Sequence, residues 1–209
     1  MPILALNPTV GGTLLVNEGT GSSGIFVVPP EVRLLTIYIV AGGGGGPPNT
    51  TNSSGQTIYS GGGGGGAGGI LTVRVSPGQS IPYTQGAGGG GDVSTMVGQP
   101  GGNSSVLGFE VGGGGPGTFE GAGGAGGSVI TIPNTADIIH LVSASGGTGG
   151  NGGSTTLPQG NWTGLSYYGP AGPGGAGAWA VDSYQGAGGA AFNNTQYGIG
   201  EAGALLFVW

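Results

Sequence analysis

Two stretches, GGGGG at residues 42–46 and GGGGGG at 61–66, restrict this chain more than any other feature. Glycine loses more backbone entropy on folding than any other residue and offers no side chain to bury in return. Such runs belong either to a flexible linker or to an architecture in which backbone packs on backbone. A phase becomes readable where other residues punctuate the glycine. GAGGAGG (121–127) keeps glycine at 121, 124 and 127, and GPAGPGGAG (169–177) keeps it at 169, 172 and 175. GGTGGNGGS (146–154) repeats GGX with Thr148, Asn151 and Ser154 in the third slot. A period of three matches the left-handed polyproline II helix, with about 3 residues per turn and about 3.1 Å of rise. With glycine facing its neighbours, such helices approach closely enough for interchain N–H···O=C bonds and weak Cα–H···O contacts. The spacing therefore predicts polyglycine II segments with the X residues on an outer face. The pure runs at 42–46 and 61–66 carry no phase of their own.

Composition separates this chain from other glycine-rich classes. Of 209 residues 58 are glycine and only 14 are proline, with no continuous Gly-X-Y register, so collagen is excluded. Disordered chains combine low hydrophobicity with high net charge. Here 36% of residues are apolar and 5% charged, which predicts a folded chain. There is no lysine, Arg33 and Arg74 are the only basic residues, and the formal net charge is −6. The basic footprint of a nucleic-acid binder is missing, as is the attraction to an anionic membrane surface. The longest apolar run, LLTIYIVA, is too short to span a bilayer, so no membrane insertion is expected. Without cysteine there is neither a disulfide nor a thiolate metal site. The opening MPILALNPTV lacks the charged and apolar regions of a signal peptide, and none is expected.

Between the glycine blocks lie strand-like segments. GIFVVPPEVRLLTIYIVAG (24–42) is rich in β-branched and apolar residues. ILTVRVSPGQSIPYTQGAG (70–88) places Leu71, Val73 and Val75 on one face, turns at SPGQ and continues as a second strand. SVITI (128–132), DIIHLVSA (137–144) and GALLFVW (203–209) are further strands, and no apolar period of 3.6 appears. The expected fold is mainly β with polyglycine II helices: a small β-sheet or sandwich plus a glycine-rich body, with essentially no α-helix. Residues 1–23 form an N-terminal attachment segment in this reading, and 24–209 form the glycine-rich domain with aromatic loops over 155–198.

Chemistry-bearing residues are sparse. His140 is the sole histidine, and Asp137 three residues earlier would point to the opposite face of a strand, so no triad follows. Phosphate-cradling loops require a lysine or a strand-to-helix turn, and both are lacking. GAGGGGD (86–92) resembles a calcium repeat, but Ala87 interrupts it and nothing recurs at nine residues. The eight carboxylates are scattered. No enzyme, cofactor or metal site is expected. Arg33 and Arg74 are expected to pair across strands with Glu31, Glu110 or Glu120.

Aromatic residues are distributed unevenly. All three tryptophans and four of the seven tyrosines follow residue 160, all but Trp209 in polar connectors between glycine blocks. Two readings stay open. Trp162, Tyr167, Tyr168, Trp179 and Tyr184 can cap the glycine layers. Alternatively they form a recognition surface with Gln159, Asn161, Asp182 and Gln185, since aromatic faces stack on sugar C–H groups while amides and carboxylates bond hydroxyls. Loops on a rigid scaffold are the usual place for recognition.

The succession GIFVVPPEVRLLTIYIVAGGGGG, GGGGGGAGGILTVRVSPGQSIPYTQGAGGGG, SSVLGFEVGGGG and a closing GIGEAGALLFVW resembles the glycine-rich domain of bacteriophage tail and tail-fibre proteins, over roughly residues 24–209. The glycine body is similar, less specifically, to the polyglycine II sandwiches of phage fibre-tip adhesins. It is also similar to snow-flea-type antifreeze proteins, although these depend on disulfides that this chain lacks. The resemblance implies a non-enzymatic phage virion component, a tail-fibre or tail-tip subunit that contacts the host cell surface. A glycan or outer-membrane receptor would be its ligand, and a homotrimer its expected state. Residues 1–23 would join other tail or fibre proteins, as a strand added to a neighbour's sheet. Assembly in the host cytoplasm into a virion agrees with the missing cysteine and signal. Two alternatives stand beside it: a structural virion protein, such as a capsid decoration or fibre-joint protein, and an ice-binding protein.

Overall fold

Alternation at period two sets the strands. In LLTIYIV, residues 35, 37 and 39 are buried while 34, 36 and 38 are exposed or half-buried, which is the pleat of a strand with one face on a core. The computed structural model describes residues 11–18, 20–48, 50–51, 57–58, 60–92, 97–118, 122–134, 136–146 and 198–209. In chain order the strands are β1 (Thr13–Val16), β2 (Ser22–Val27), β3 (Leu34–Val40), β4 (Thr50–Thr51), β5 (Thr57–Ile58), β6 (Gly68–Arg74) and β7 (Ser80–Gln85). They continue as β8 (Gly91–Asp92), β9 (Val97–Gly98), β10 (Ser104–Val106), β11 (Phe109–Val111), β12 (Val129–Thr131), β13 (Ile138–Ala144) and β14 (Ala204–Val208). The described residues contain no helix. Each segment expected to be a strand contains one. Thr13–Val16, inside the stretch read as an attachment segment, pairs with the C-terminal strand.

Two five-stranded sheets form a sandwich. Sheet A has the order β1-β14-β3-β6-β13 and sheet B the order β12-β11-β10-β7-β2, and every pairing is antiparallel. Their facing sides supply the core. Sheet A contributes Val16, Leu35, Ile37, Ile39, Leu71, Val73, Leu205 and Phe207, and sheet B contributes Phe26, Ile81, Val106, Phe109 and Val111. Phe26 stacks on Phe207 with centroids 4.4 Å apart, joining the two sheets. Gly69 leaves the space over β6 that the Phe109 ring fills.

At one end of the sandwich the strands run on as glycine segments. β3 continues into 41–46, and 60–67 leads into β6. β7 continues into 86–90, and 99–103 leads into β10. β11 continues into 112–118, and 122–128 leads into β12. Residues 198–203 lead into β14. Here both layers merge into one bundle of backbone. The segment 41–46 shows the rule. Ala41 and Gly44 donate to Ala67 and Gly64, Gly42 and Gly45 to Gly102 and Gln99, and Gly43 and Gly46 to Glu201 and Gly198. Successive N–H groups thus address three neighbouring segments in turn and return to the same one every third residue. The carbonyls of Gly42 and Gly45 accept from Gly114 and Gly117, and that of Gly43 accepts from Gly89. The same step recurs elsewhere: Gly61, Gly64 and Ala67 donate to Thr118, Gly115 and Gly112, and these in turn donate to Ala122, Ala125 and Ser128. This repeat in bonding partners supplies the phase that a pure glycine run cannot display in sequence. Along 122–128, Gly124 and Gly127 are buried while Ala122, Ala125 and Ser128 are exposed, so the non-glycine residues take the outward slot.

Glycine is required because the neighbouring backbones occupy the volume of a side chain. A Cβ built on Gly44 would overlap the carbonyl oxygen of Gly115, on Gly63 that of Gly44, on Gly88 that of Gly200, and on Gly114 that of Gly64. Two buried polar side chains lock bundle to sandwich. Gln85, 2% exposed, donates through Nε2 to the carbonyls of Glu18 and Gly203 and accepts at Oε1 from Glu18 N–H and Ser22 Oγ. Ser104 Oγ donates to the Val40 carbonyl at 2.8 Å and accepts from Gly86 N–H at 2.9 Å, tying the two sheets where they merge.

The account predicts sharply unequal glycine-to-alanine effects. Gly44→Ala and Gly114→Ala should each destabilise by about 3 kcal/mol or more, because the methyl group has only rigid backbone to displace. At Gly90 an added methyl group would meet nothing within 4 Å, so alanine there should be tolerated within about 0.5 kcal/mol. Urea unfolding of the three variants measures the difference.

Candidate functional site

The connections at the glycine end are the part of the fold that chain direction singles out. β3–β6, β7–β10 and β11–β12 are long antiparallel hairpins whose arms pass through the bundle before turning. Their turns therefore lie on the bundle side of the sandwich. The chain from β13 to β14 also leaves and re-enters through glycine: Gly146 N–H donates to Gly127, and Gly46 and Gly198 bond each other. Both described chain ends lie at the opposite end of the sandwich. Gly12 and Trp209 exchange two backbone bonds beside Thr13–Val208, with the Trp209 ring 5.5 Å from Phe26.

Local bonding fixes the start of each turn. Ser60 Oγ donates to the Pro48 carbonyl at 2.9 Å, closing the base of the β3–β6 turn above the β4–β5 pair. Gln99 N–H donates to Gly90 and the β8–β9 pair follows, so the second turn continues as a small hairpin. In the third, Thr118 Oγ1 donates to the Ala122 carbonyl and accepts from Ala122 N–H, each at 3.1 Å. Exposed residues at this end include Val97, Gln99, Pro100, Thr118, Ala122, Ile199 and Glu201. They are small, amide, hydroxyl or apolar groups, with one carboxylate.

All nine residues expected to form a recognition surface, Gln159, Asn161, Trp162, Tyr167, Tyr168, Trp179, Asp182, Tyr184 and Gln185, lie outside the described residues. Their sequence position falls between Gly146 and Gly198, the two anchors of the β13–β14 connection. Of the glutamates expected to pair with Arg33 and Arg74, Glu120 lies outside the described residues, and the expectation for Glu110 is corrected. Leu34 is the cross-strand neighbour of Arg74, and Glu110 belongs to the other sheet, where Asn103 Nδ2 donates to it at 2.9 Å. Arg33 precedes β3 and engages through its backbone, its carbonyl accepting from Val75 N–H. His140 is exposed on β13 opposite Thr72, and Asp137 lies in the turn before that strand, its carbonyl accepting from Arg74 N–H. Among the described residues no group of three or more His, Asp or Glu could hold a metal ion.

Among the described residues one titration is perturbed, and it is structural. Tyr83 lies on the inner side of β7, its ring 5.7 Å from Phe207 and its hydroxyl over Gly24, where a Cβ would collide with it. Burial, with a smaller contribution from the Glu18 charge, raises its pKa above the ordinary 10.0.

A family model for a glycine-rich domain matches residues 18–205, and no curated protein matches the chain.

The Tyr83 shift has a pH consequence with a definite sign. The folded state holds the phenol proton more tightly than the unfolded chain, so this stability is complete below pH 10 and is lost as pH rises beyond it. The urea midpoint should fall above that pH, and Tyr83→Phe should flatten the decline while leaving the neutral-pH value within about 1 kcal/mol.

Proposed function

This chain belongs to the glycine-rich domain family, and we propose that it is a non-enzymatic surface-binding protein, a tail-fibre or tail-tip subunit of a phage virion. The observation that carries this reading is the polarity of the fold. Both described chain ends lie at one end of the sandwich, and the hairpin turns lie at the other, beyond a bundle held by backbone bonds. A module attached through its termini thus presents its connections outward on a rigid stalk, the arrangement in which loops vary without disturbing a scaffold.

The ligand class follows from the connection between Gly146 and Gly198. Its tryptophans, tyrosines, amides and single carboxylate suit a surface glycan, through ring stacking and hydrogen bonds to hydroxyls. The chain's net charge of −6 gives an anionic cell surface no general attraction, so binding depends on these local contacts.

Fluorescently labelled full-length protein, incubated with intact cells of a panel of bacterial strains and with purified lipopolysaccharide, tests the proposal. Saturable binding to at least one strain, weakened roughly tenfold or more by Trp162→Ala or Tyr168→Ala, is the expected outcome. Failure to bind any strain or the lipopolysaccharide would leave a purely structural virion role in its place.

A further inference from the structure

Chain direction decides how each strand meets a pulling force. β1 and β14 run antiparallel from Thr13–Val208 to Val16–Leu205, and just beyond Thr13 the Gly12 and Trp209 backbones bond each other twice. A force that draws these two ends apart acts across the strands. It falls on the Gly12–Trp209 pair first and on each following pair in turn. Among the described strands β1 is an edge, paired with β14 alone, so nothing else in its sheet holds it. Its side chains add little, because Thr13 and Leu15 are exposed, Leu14 is half-buried and only Val16 is buried.

A force between this terminal end and the turns at the glycine end runs along the strands instead. β14 is paired on both sides, with β1 and with Thr36–Val40 of β3. Its glycine lead-in is held as well: Gly200 and Gly203 donate to Gly89 and Gly86, while Glu201 and Gly198 accept from Gly43 and Gly46. Segment 86–90 runs opposite to 198–203, so pulling Trp209 away from Gly90 loads all of these bonds together. Leu205 and Phe207, both fully buried, must then slide through the core, Phe207 out of its stack on Phe26. Forced unfolding is set by the unfolding barrier. That barrier holds one pair at a time in the first direction and the whole set in the second. We infer that the fold is a mechanical coupling with a weak and a strong direction: it opens from β1 when its two termini are drawn apart, and it holds when load runs from the terminal end to the glycine-end turns. The strong direction is the one that load takes when a module held at its terminal end is pulled through its turns.

Single-molecule force spectroscopy on the full chain tests this. The chain contains no cysteine, so one introduced cysteine is a unique handle. Gly90→Cys places it where an added Cβ meets nothing within 4 Å, and Ala122→Cys places it on an exposed residue beside the third turn. Pulled through an N-terminal and a C-terminal tag, the protein should rupture at the lower force. Pulled at the same loading rate through the C-terminal tag and either cysteine, it should need about twice that force or more. Each cysteine variant pulled through its two tags should match the wild type, which separates direction from any weakening by the substitution. Equal rupture forces in the two geometries, or a higher force between the termini, would overturn the inference. No ligand takes part, so the outcome is independent of cell binding.

Discussion

The close approach of one peptide backbone to another, through N–H···O=C bonds repeating every third residue, is the constraint on which this structure rests. Between ordinary β-sheets the side chains hold the layers about 10 Å apart. In the glycine bundle that spacer is missing, and Gly42, Gly43 and Gly44 bond to three different segments in succession. Each peptide group satisfied in this way offsets part of the entropy lost by ordering glycine. One methyl group at Gly64 or Gly114 would separate the chains, because the opposing atoms belong to carbonyls and not to movable side chains.

The sandwich and the bundle depend on each other. Hairpin arms that pair as strands arrive in the bundle already in register, since β3 and β6 are aligned from Leu34–Arg74 to Val40–Gly68 and the next bond is Ala41 to Ala67. At this junction the core side chains shrink to Ala41 and Ala67, both fully buried, so the apolar layer tapers where the sheets merge. The merging sheets would expose polar backbone to apolar surroundings there. Gln85 and Ser104 supply the missing partners and bond elements that belong to both sheets.

Much of the fold was legible in the sequence because it lies in side chains. LLTIYIV and ILTVRV alternate at period two, and both became central strands of sheet A. GAGGAGG displayed its threefold phase because alanine occupies the outward slot at 122 and 125. The runs 42–46 and 61–66 could not display theirs, since identical residues carry no phase and only bonding partners define it. Pairing order was likewise illegible: nothing in GALLFVW says that it inserts between β1 and β3. The expected pairing of Arg74 with Glu110 failed for the same reason, because it required knowing that the two belong to different sheets. The nine aromatic and polar residues of the recognition reading lie outside the described residues, so for them the sequence reading stands alone.

Amide hydrogen exchange on protein labelled with ¹⁵N-glycine tests the central claim most directly. Bonded glycines at 42–45, 61, 64, 114 and 115 should exchange only through global unfolding, as slowly as the β3 and β6 core amides. Exchange of these amides at the rate of an unfolded chain, beside a protected sandwich, would mean that the runs are tethers and that side chains alone hold the fold.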